Sequence, residues 1–338
     1  MRRALLLVAF TVTLWLGWVH ETRFPLRSAD EPPQRLVIVP GASAESIGRQ
    51  LAALGLVRYP PVFRALAFLR GDSGRLRAGE YSLDGPLSLD EIIGMLVRGE
   101  VVRREVTFPE GKSLEEMAII ASERGVRADA FLRAARDPKP IRDLDPAAPD
   151  LEGYLFPDTY DIATTADPAA ALVGRMVERF RAVAMPALPR LAERGLTLRQ
   201  VVTLASLVEL ETAQAQERPR IAAVFFNRLK RGMPLQTDPT VIYALRKAGT
   251  YDGNIRKKDL AFDSPYNTYN HAGLPPGPIA SPGREAIEAV LAPARAKDLY
   301  FVSRNDGTHQ FSETLAEHER AVDRYQRRRG TVKDGERG

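Results

Sequence analysis

Two glutamates separated by a single residue, Glu209 and Glu211, have the type and the placement of candidate acid–base groups. They stand near the end of segment 197–212, TLRQVVTLASLVELET, in which apolar residues recur at helical spacing. On an α-helix, two such positions are separated by roughly 160° around the axis. We therefore expect the carboxylates to flank the apolar stripe on opposite sides and not to point into one cleft, which argues against a paired-carboxylate glycosidase built from them.

The helix that must position these glutamates is predicted by its own pattern. Its apolar stripe at i, i+3, i+4 and i+7 consists of Val201, Leu204, Ala205 and Val208. Thr197 and Gln200 have the spacing of a capping box, which marks the start of a helix. The pattern does not choose between Glu209 and Glu211, and most helical glutamates are ordinary surface residues. On this pattern alone, either glutamate or neither is catalytic.

Three later segments combine polar and aromatic side chains with Pro and Gly. They are QTDPTVIY (236–243), SPYNTYN (264–270) and GLPPGPI (273–279). Aromatic faces stack on pyranose rings, while amides pair with hydroxyl and N-acetyl groups. We expect these segments to form rigid loops that line a sugar-binding groove. The alternative is ordinary packing of turn-rich loops.

The N-terminus predicts a membrane anchor. Arg2 and Arg3 precede an uncharged run over residues 4–19 that contains Trp15 and Trp18. A cleaved signal peptide is the alternative, but no small-x-small cleavage site follows the run. The positive charges place the N-terminal flank in the cytoplasm, so we expect one anchor near residues 4–20 and the bulk of the chain outside.

Strand, Gly-containing turn, Ser cap and helix follow one another three times, with the caps at Ser43, Ser88 and Ser113. At the last two caps a glutamate three residues on completes a capping-box pattern. The fold class predicted is α+β: an N-terminal transmembrane helix, a small α+β module and a larger mixed α/β domain. The predicted boundaries are 1–22 for the cytoplasmic N-terminus and anchor, 23–34 for a tether, 35–105 for the module, 106–330 for the larger domain and 331–338 for a tail.

Several classes of function are disfavoured by composition. The 338 residues include no cysteine, so disulfides and a Cys nucleophile are excluded. The net charge of +5 is modest and no basic stripe is interleaved with aromatics, so we predict no nucleic-acid partner. The four histidines have no common metal-site spacing, and Ser206 has no nucleophile-elbow motif. We expect neither a metal nor a cofactor.

Four long stretches carry a specific resemblance. They are 151–160 (LEGYLFPDTY), 204–245 (LASLVELETAQAQERPRIAAVFFNRLKRGMPLQTDPTVIYAL), 264–283 (SPYNTYNHAGLPPGPIASPG) and 299–318 (LYFVSRNDGTHQFSETLAEH). With them the chain closely resembles the YceG-like family of endolytic murein transglycosylases. The resemblance covers most of the chain, including the anchor, and the region 35–100 looks like the family's LysM-like module.

The resemblance implies a catalytic residue and a set of substrate contacts. The family's catalytic glutamate is the second acid of an E-x-E-T motif, which here is Glu211, followed by Thr212. The residues matching the family's cleft-lining segments are Asn227, Gln236, Thr237, Asp238, Tyr243, Tyr266, Asn267, Thr268 and Tyr269.

The resemblance also implies an activity and a location. The expected reaction cleaves the β-1,4 bond between N-acetylmuramic acid and N-acetylglucosamine in nascent glycan strands and leaves 1,6-anhydro ends. It would serve cell-wall assembly and control of strand length. The expected location is the inner membrane, single-pass, with the catalytic domain on the periplasmic side, where wall synthases and division proteins are possible partners. The alternatives are a hydrolytic muramidase and a non-catalytic peptidoglycan-binding or divisome scaffold.

Overall fold

The computed structural model describes residues 2–102, 104–162, 165 and 167–327, and the side chains of residues 2–10 and 14 lie outside the description. The predicted tail at 331–338 also lies outside it. The chain divides into two units. The first comprises Met1–Glu105 and Asp161–Ala171, and the second comprises Val106–Tyr160 and Leu172–Gly338. The architecture is mixed α+β, with many helices and small two-stranded sheets, as predicted.

The first unit is built around an antiparallel strand pair. Its elements are α1 (Arg2–Arg23), β1 (Gln34–Ile38), α2 (Ala44–Ala53), α3 (Pro60–Leu69), β2 (Gly79–Leu83) and α4 (Leu89–Arg98). In the β1–β2 pair Leu36 lies opposite Tyr81, and both are buried. Val37, between two buried residues of β1, is exposed, as the two-residue period of a strand requires. One face of the pair therefore packs on a core that includes residues of α2, α3 and α4.

Helix starts in this unit follow the predicted capping chemistry. The Ser43 side chain accepts a hydrogen bond from the Ser46 amide at the start of α2. At α4, Ser88 and Glu91 form both halves of a capping box. Each cap satisfies amides that the first turn of a helix leaves without partners, so these local patterns confirm the predicted helix starts.

The N-terminal helix α1 ends against α3. Glu21, which is buried, accepts hydrogen bonds from the backbone amides of Arg58 at 2.9 Å and Tyr59 at 3.3 Å. Among the residues described, no helix combines the length and the apolar character needed to cross a membrane. The predicted anchor at 4–20 falls partly on residues whose side chains lie outside the description, so it stays a prediction.

Two short strands, β3 (Glu105–Thr107) and β4 (Thr159–Asp161), pair with each other where the chain passes between the units. The other elements lie wholly or mostly in the second unit. They are α5 (Leu114–Glu123), α6 (Ala128–Ala135), α7 (Pro168–Ala184), α8 (Leu188–Glu193), α9 (Leu198–Glu211), α10 (Arg218–Lys230), α11 (Asp238–Lys247), α12 (Arg284–Leu291), β5 (Tyr300–Ser303), β6 (His309–Ser312) and α13 (Leu315–Val322).

Helix α9 lies in the core of the second unit, where α8, α10, α11 and α12 pack against it. Thr197 and Gln200 form the predicted capping box at its start. The burial is more complete than the predicted single stripe, since every residue from Val201 to Val208 is buried. Ser206 is accommodated because its hydroxyl donates to the Thr203 carbonyl at 2.7 Å and accepts from the Ile279 amide at 3.2 Å. A rigid, buried helix thus carries Glu209 and Glu211 at its end.

Candidate active site

The site begins where α9 ends. Glu211 is the last residue of α9, and Thr212 is extended, with φ −148° and ψ 137°. A depression of about 450 Å³ surrounds this helix end. Its lining includes Glu110, Lys112, Glu209, Leu210, Glu211 and Arg218. The depression is therefore polar, with carboxylates and cations on its walls.

Glu209 is engaged in an internal ion pair. Its side chain is 5% exposed and accepts from Arg218 Nη2 at 2.8 Å and from the Gly283 amide at 2.9 Å. Arg218 also binds Glu285, with a distance of 2.6 Å between Nη1 and Oε2. Burial raises the pKa of Glu209, and the Gly283 amide and Arg218 oppose that rise. Glu209 therefore ties α9 to α10 and to the start of α12.

Both glutamates contribute to the lining of this depression, but their carboxyl groups meet different elements. The Glu209 carboxylate binds Arg218 and the Gly283 amide, whereas the Glu211 carboxyl group faces Thr237 and Asp238 at the start of α11, and neither of these two residues lines the depression. The expectation that the two carboxylates do not point into one cleft stays a prediction.

Glu211 has the protonation behaviour of a general acid at neutral pH. It is half-buried, and loss of solvent raises its pKa to about 7. The nearby Asp238 carboxylate raises it further, whereas the Thr237 hydroxyl lowers it. Electrostatic interactions with His309 and Arg228 also lower it. A carboxyl group with a pKa near 7 can both donate a proton and take one back.

The start of α11 brings two predicted substrate residues to Glu211. Thr237 is 2% exposed, and its amide donates to the Thr268 hydroxyl at 3.1 Å. Within the described part of the chain, the Thr237 Oγ1 atom itself has no hydrogen-bond partner of good geometry. Asp238 Oδ1 accepts a hydrogen bond from the Tyr269 hydroxyl at 2.6 Å. This arrangement holds a carboxylate and a buried hydroxyl beside the candidate acid.

Gln236, the residue before Thr237, has a backbone conformation that favours glycine. Its φ is +50°, and its amide donates to the Thr268 carbonyl at 3.1 Å. A non-glycine residue in this region costs free energy, and such strain concentrates at functional sites. The strain supports a role for the Gln236 side chain that glycine would not supply.

The other predicted substrate residues lie elsewhere or are used internally. Asn227 donates to the carbonyls of Ala296 and Asp298, both at 2.9 Å. Asn267 is fully buried and donates to the carbonyls of Leu260 and Phe262. These two amides hold loops in place. As described, they are committed to the backbone and do not face the depression.

Thr268 and the tyrosine pair Tyr243–Tyr266 also have internal roles. Thr268 is 1% exposed and links the start of α11 to segment 264–270 through Thr240 and Thr237. The Tyr243 and Tyr266 rings contact each other, with centroids 4.9 Å apart. Tyr243 lies on α11 and not on a loop, contrary to the expectation for segment 236–243. The reason is that Thr237 and the sequence Asp238-Pro239 start a helix, since Pro is tolerated in the first turn.

Sequence reasoning missed several charged groups near the site. His309 Nδ1 lies 2.6 Å from Glu217 Oε2, and the His309 amide donates to Glu217 Oε1 at 2.8 Å. Arg228 is buried and donates to the carbonyls of Leu299 and Leu235. The sequence signal for His309 and Arg228 is weak, because Glu217 lies 92 residues from His309 and Leu299 lies 71 residues from Arg228 along the chain.

Comparison with known proteins gives the family. The sequence model of the YceG-like family matches residues 36–324, and the chain belongs to this family. It is 33% identical over 317 residues to the endolytic murein transglycosylase of Bacillus subtilis (strain 168), covering 89% of this chain and 87% of the relative. It is 31% identical over 341 residues to the endolytic murein transglycosylase of Streptococcus pneumoniae serotype 2, covering 90% of this chain and 60% of that relative.

A solved structure agrees with this assignment. The crystal structure of a YceG-like protein from Listeria monocytogenes aligns with a TM-score of 0.59 at 31% sequence identity. The alignment covers 85% of this chain and 98% of the Listeria chain. The fold is therefore shared over nearly the whole length of that protein.

Proposed function

We propose that this protein is an endolytic lytic transglycosylase that cleaves the bond between N-acetylmuramic acid and N-acetylglucosamine in peptidoglycan. The observation that carries the proposal is Glu211, a half-buried residue that borders a polar depression and whose carboxyl group has a pKa of about 7. The relatives named endolytic murein transglycosylases support the choice of reaction.

In the proposed mechanism Glu211 acts twice. The protonated carboxyl group donates its proton to the glycosidic oxygen, and the bond from that oxygen to the muramyl C1 breaks. The resulting carboxylate then accepts the proton of the muramyl C6 hydroxyl, whose oxygen bonds to C1 and closes a 1,6-anhydro ring. The proton returns to Glu211 and no water is consumed. A pKa near neutral suits both halves of this cycle.

Neighbouring groups support the charge that develops during the reaction. The Asp238 carboxylate lies close enough to raise the pKa of Glu211, so its negative charge is also near the place where C1 becomes positive. The exposed side chain of Gln236 is placed to orient sugar hydroxyl or N-acetyl groups, while the buried Thr237 hydroxyl acts on the Glu211 carboxyl group. We assign Asp238 to electrostatic stabilisation and the other two residues to positioning.

The same proposal extends to the organisation of the chain. We assign residues 35–105 to a LysM-like module that helps to bind glycan, because its strand-helix-helix-strand order joins two paired strands. Residues 106–330 form the proposed catalytic domain. We assign residues 1–22 to a membrane anchor on the basis of Arg2, Arg3 and the uncharged run after them. The catalytic domain would then lie on the periplasmic side, close to wall synthases.

Product analysis tests the proposed reaction. Purified peptidoglycan is incubated with the protein, and the products are examined by mass spectrometry for 1,6-anhydro ends inside formerly long strands. We expect anhydro ends and a shortening of the strands. Reducing ends formed with uptake of water would identify a muramidase instead, and release of no fragment would identify a binding scaffold.

A further inference from the structure

A second cavity, of about 890 Å³, lies in the same unit as Glu211 and has no part in the proposed acid–base step. It lies between the start of α5, the end of α6, the segment 149–152 and α11. Its volume is within the range of pockets that hold a small ligand or part of a polymer.

A third, smaller space lies between this cavity and the depression at Glu211. A smaller cavity of about 160 Å³ shares Gly111 and Leu210 with that depression. It shares Glu116, Tyr243 and Arg246 with the larger cavity. The smaller cavity therefore has the depression as a neighbour on one side and the large cavity as a neighbour on the other. The large cavity is thus the next space but one to Glu211, where a branch of a bound polymer would be placed.

The lining of the large cavity carries charges of both signs. The cations are Arg136, Arg246 and Lys247, and the carboxylates include Glu115, Glu116 and Asp150. Arg246 is paired with Glu116 at 3.1 Å, and Arg136 lies 3.8 Å from Glu115. Lys247 has no carboxylate partner within the described ranges of the chain. A ligand with both carboxylates and an amine would match this lining better than a neutral one.

The inner wall of the cavity contains a buried carboxyl group, that of Glu152. Glu152 is 5% exposed, accepts from the Leu114 amide at 3.2 Å and contacts the Tyr243 hydroxyl at 3.2 Å. Burial raises its pKa to about 8, so the group is uncharged at neutral pH. The inner wall of the cavity is therefore neutral, and the charged side chains of the lining, such as Arg136, Glu115 and Arg246, are exposed.

Sugar binding is disfavoured here because no aromatic face in the described lining is open. The lining's one aromatic residue, Tyr243, is 7% exposed. Its ring is covered by the Tyr266 ring at 4.9 Å and by Lys247 Nζ at 5.4 Å. Pyranose rings usually stack on exposed aromatic faces, so the cavity lacks the feature that a glycan subsite needs. Ile119, which is 58% exposed at the cavity, suits an aliphatic side chain.

We infer that this cavity binds the stem peptide attached to the glycan strand, with Lys247 holding a peptide carboxylate and Asp150 near the peptide amine. The inference rests on the proposed function, because that function supplies a glycan strand that bears peptides. The cavity would then be a specificity site for the reaction. Strands that carry peptides are held both along the sugars and through the peptide, whereas bare strands are held along the sugars alone.

Two substrates and two matched lysine variants test the inference. The full chain in detergent is given peptide-bearing strands or strands stripped of peptide by an amidase, and kcat/KM for anhydro-end release is measured on each. We expect the wild-type protein to prefer peptide-bearing strands. The preference is the kcat/KM for peptide-bearing strands divided by the kcat/KM for stripped strands. Lys247→Gln should lower this ratio about tenfold, as expected for losing a charge-assisted hydrogen bond. Lys257→Gln, at an exposed lysine outside the cavity lining, should leave the ratio unchanged.

A binding experiment keeps the inference separate from catalysis. A free tripeptide of alanine, glutamate and a diamino acid is titrated into the wild-type, Lys247→Gln and Lys257→Gln proteins by calorimetry. Binding that is weakened by Lys247→Gln alone supports the peptide site, even if no protein releases anhydro ends and the proposed function fails. No binding to the wild-type protein, or a Lys247→Gln variant that loses cleavage of both substrates by the same factor, would overturn the inference.

Discussion

At the scale of single residues, Glu209 and Glu211 differ because of the groups that each one meets. The Glu209 carboxylate forms an ion pair with Arg218 and accepts a hydrogen bond from the Gly283 amide. Glu211 lies beside the Thr237 hydroxyl and the Asp238 carboxylate, and burial raises its pKa to about 7. The helical pattern left both candidates open, and the family resemblance named Glu211. The pattern alone cannot separate them because Arg218 and Asp238 come from other elements.

The first prediction concerns pH. If Glu211 must be protonated to donate, kcat/KM for release of anhydro ends should be constant well below pH 7 and should fall above it. The sign follows from the raised pKa, since the carboxyl group holds its proton up to about pH 7 and loses it as the pH rises further. Initial rates measured on both sides of neutrality provide the test. A rate that rises through this range would contradict the assignment.

Thr237→Val tests the same pH profile through a neighbour of Glu211. The Thr237 hydroxyl lowers the pKa of Glu211, so its removal should move the alkaline limb to higher pH. Because the hydroxyl has no hydrogen bond of good geometry in the described structure, the near-isosteric valine should cost little stability. An unshifted limb would show that Thr237 does not act on Glu211.

At the scale of elements, the sequence predicts contacts between residues that are close along the chain, and it does not predict contacts between distant ones. The capping boxes at Ser88, Ser113 and Thr197 were predicted and are present, because each involves residues three positions apart. The polar and aromatic residues of segment 236–243 predict a loop, whereas they form most of helix α11. The resemblance puts Asn227 in the cleft, yet its amide binds carbonyls about seventy residues away, for which the sequence carries no local signal.

The second prediction concerns the close approach at Gly153. Its φ is +82°, and a Cβ atom there would lie 2.5 Å from Pro278 and 2.9 Å from Val202 on α9. Gly153→Ala combines left-handed backbone strain with overpacking and should destabilise the protein by about 2–4 kcal/mol. Thermal melts measure the effect.

Gly174→Ala is the control for that substitution. Gly174 lies within α7, and nothing is within 4 Å of an added Cβ. Alanine should stabilise this helix by up to about 1 kcal/mol. Equal melting temperatures for the two variants would show that the contact between Gly153 and Pro278 has no energetic role.

At the scale of the whole molecule, the chain forms two units and crosses between them at β3 and β4. The α+β class followed from the repeated strand, turn, cap and helix order. The pairing of β5 with β6 and the burial of α9 on all sides did not, because both depend on which elements meet in space.

The third prediction concerns topology. A reporter that is active only outside the cytoplasm, fused after the catalytic domain, should be active, because Arg2 and Arg3 favour a cytoplasmic N-terminal flank. Replacing both arginines with glutamate should reduce the active fraction. A reporter signal confined to the cytoplasm would rule out the proposed anchor and location.

The central claim is that Glu211 alone cycles the proton, and one comparison tests it most directly. Release of 1,6-anhydro-muropeptides from purified peptidoglycan is measured for Glu211→Gln and Glu209→Gln, with melts of both proteins. Glutamine keeps the shape of glutamate but cannot transfer the proton, so Glu211→Gln should lose about 10²–10⁴-fold or more in rate while staying folded. Glu209→Gln weakens a buried ion pair, so it should melt at a lower temperature and still cleave. Release retained by Glu211→Gln, with release lost by a folded Glu209→Gln, would contradict the account.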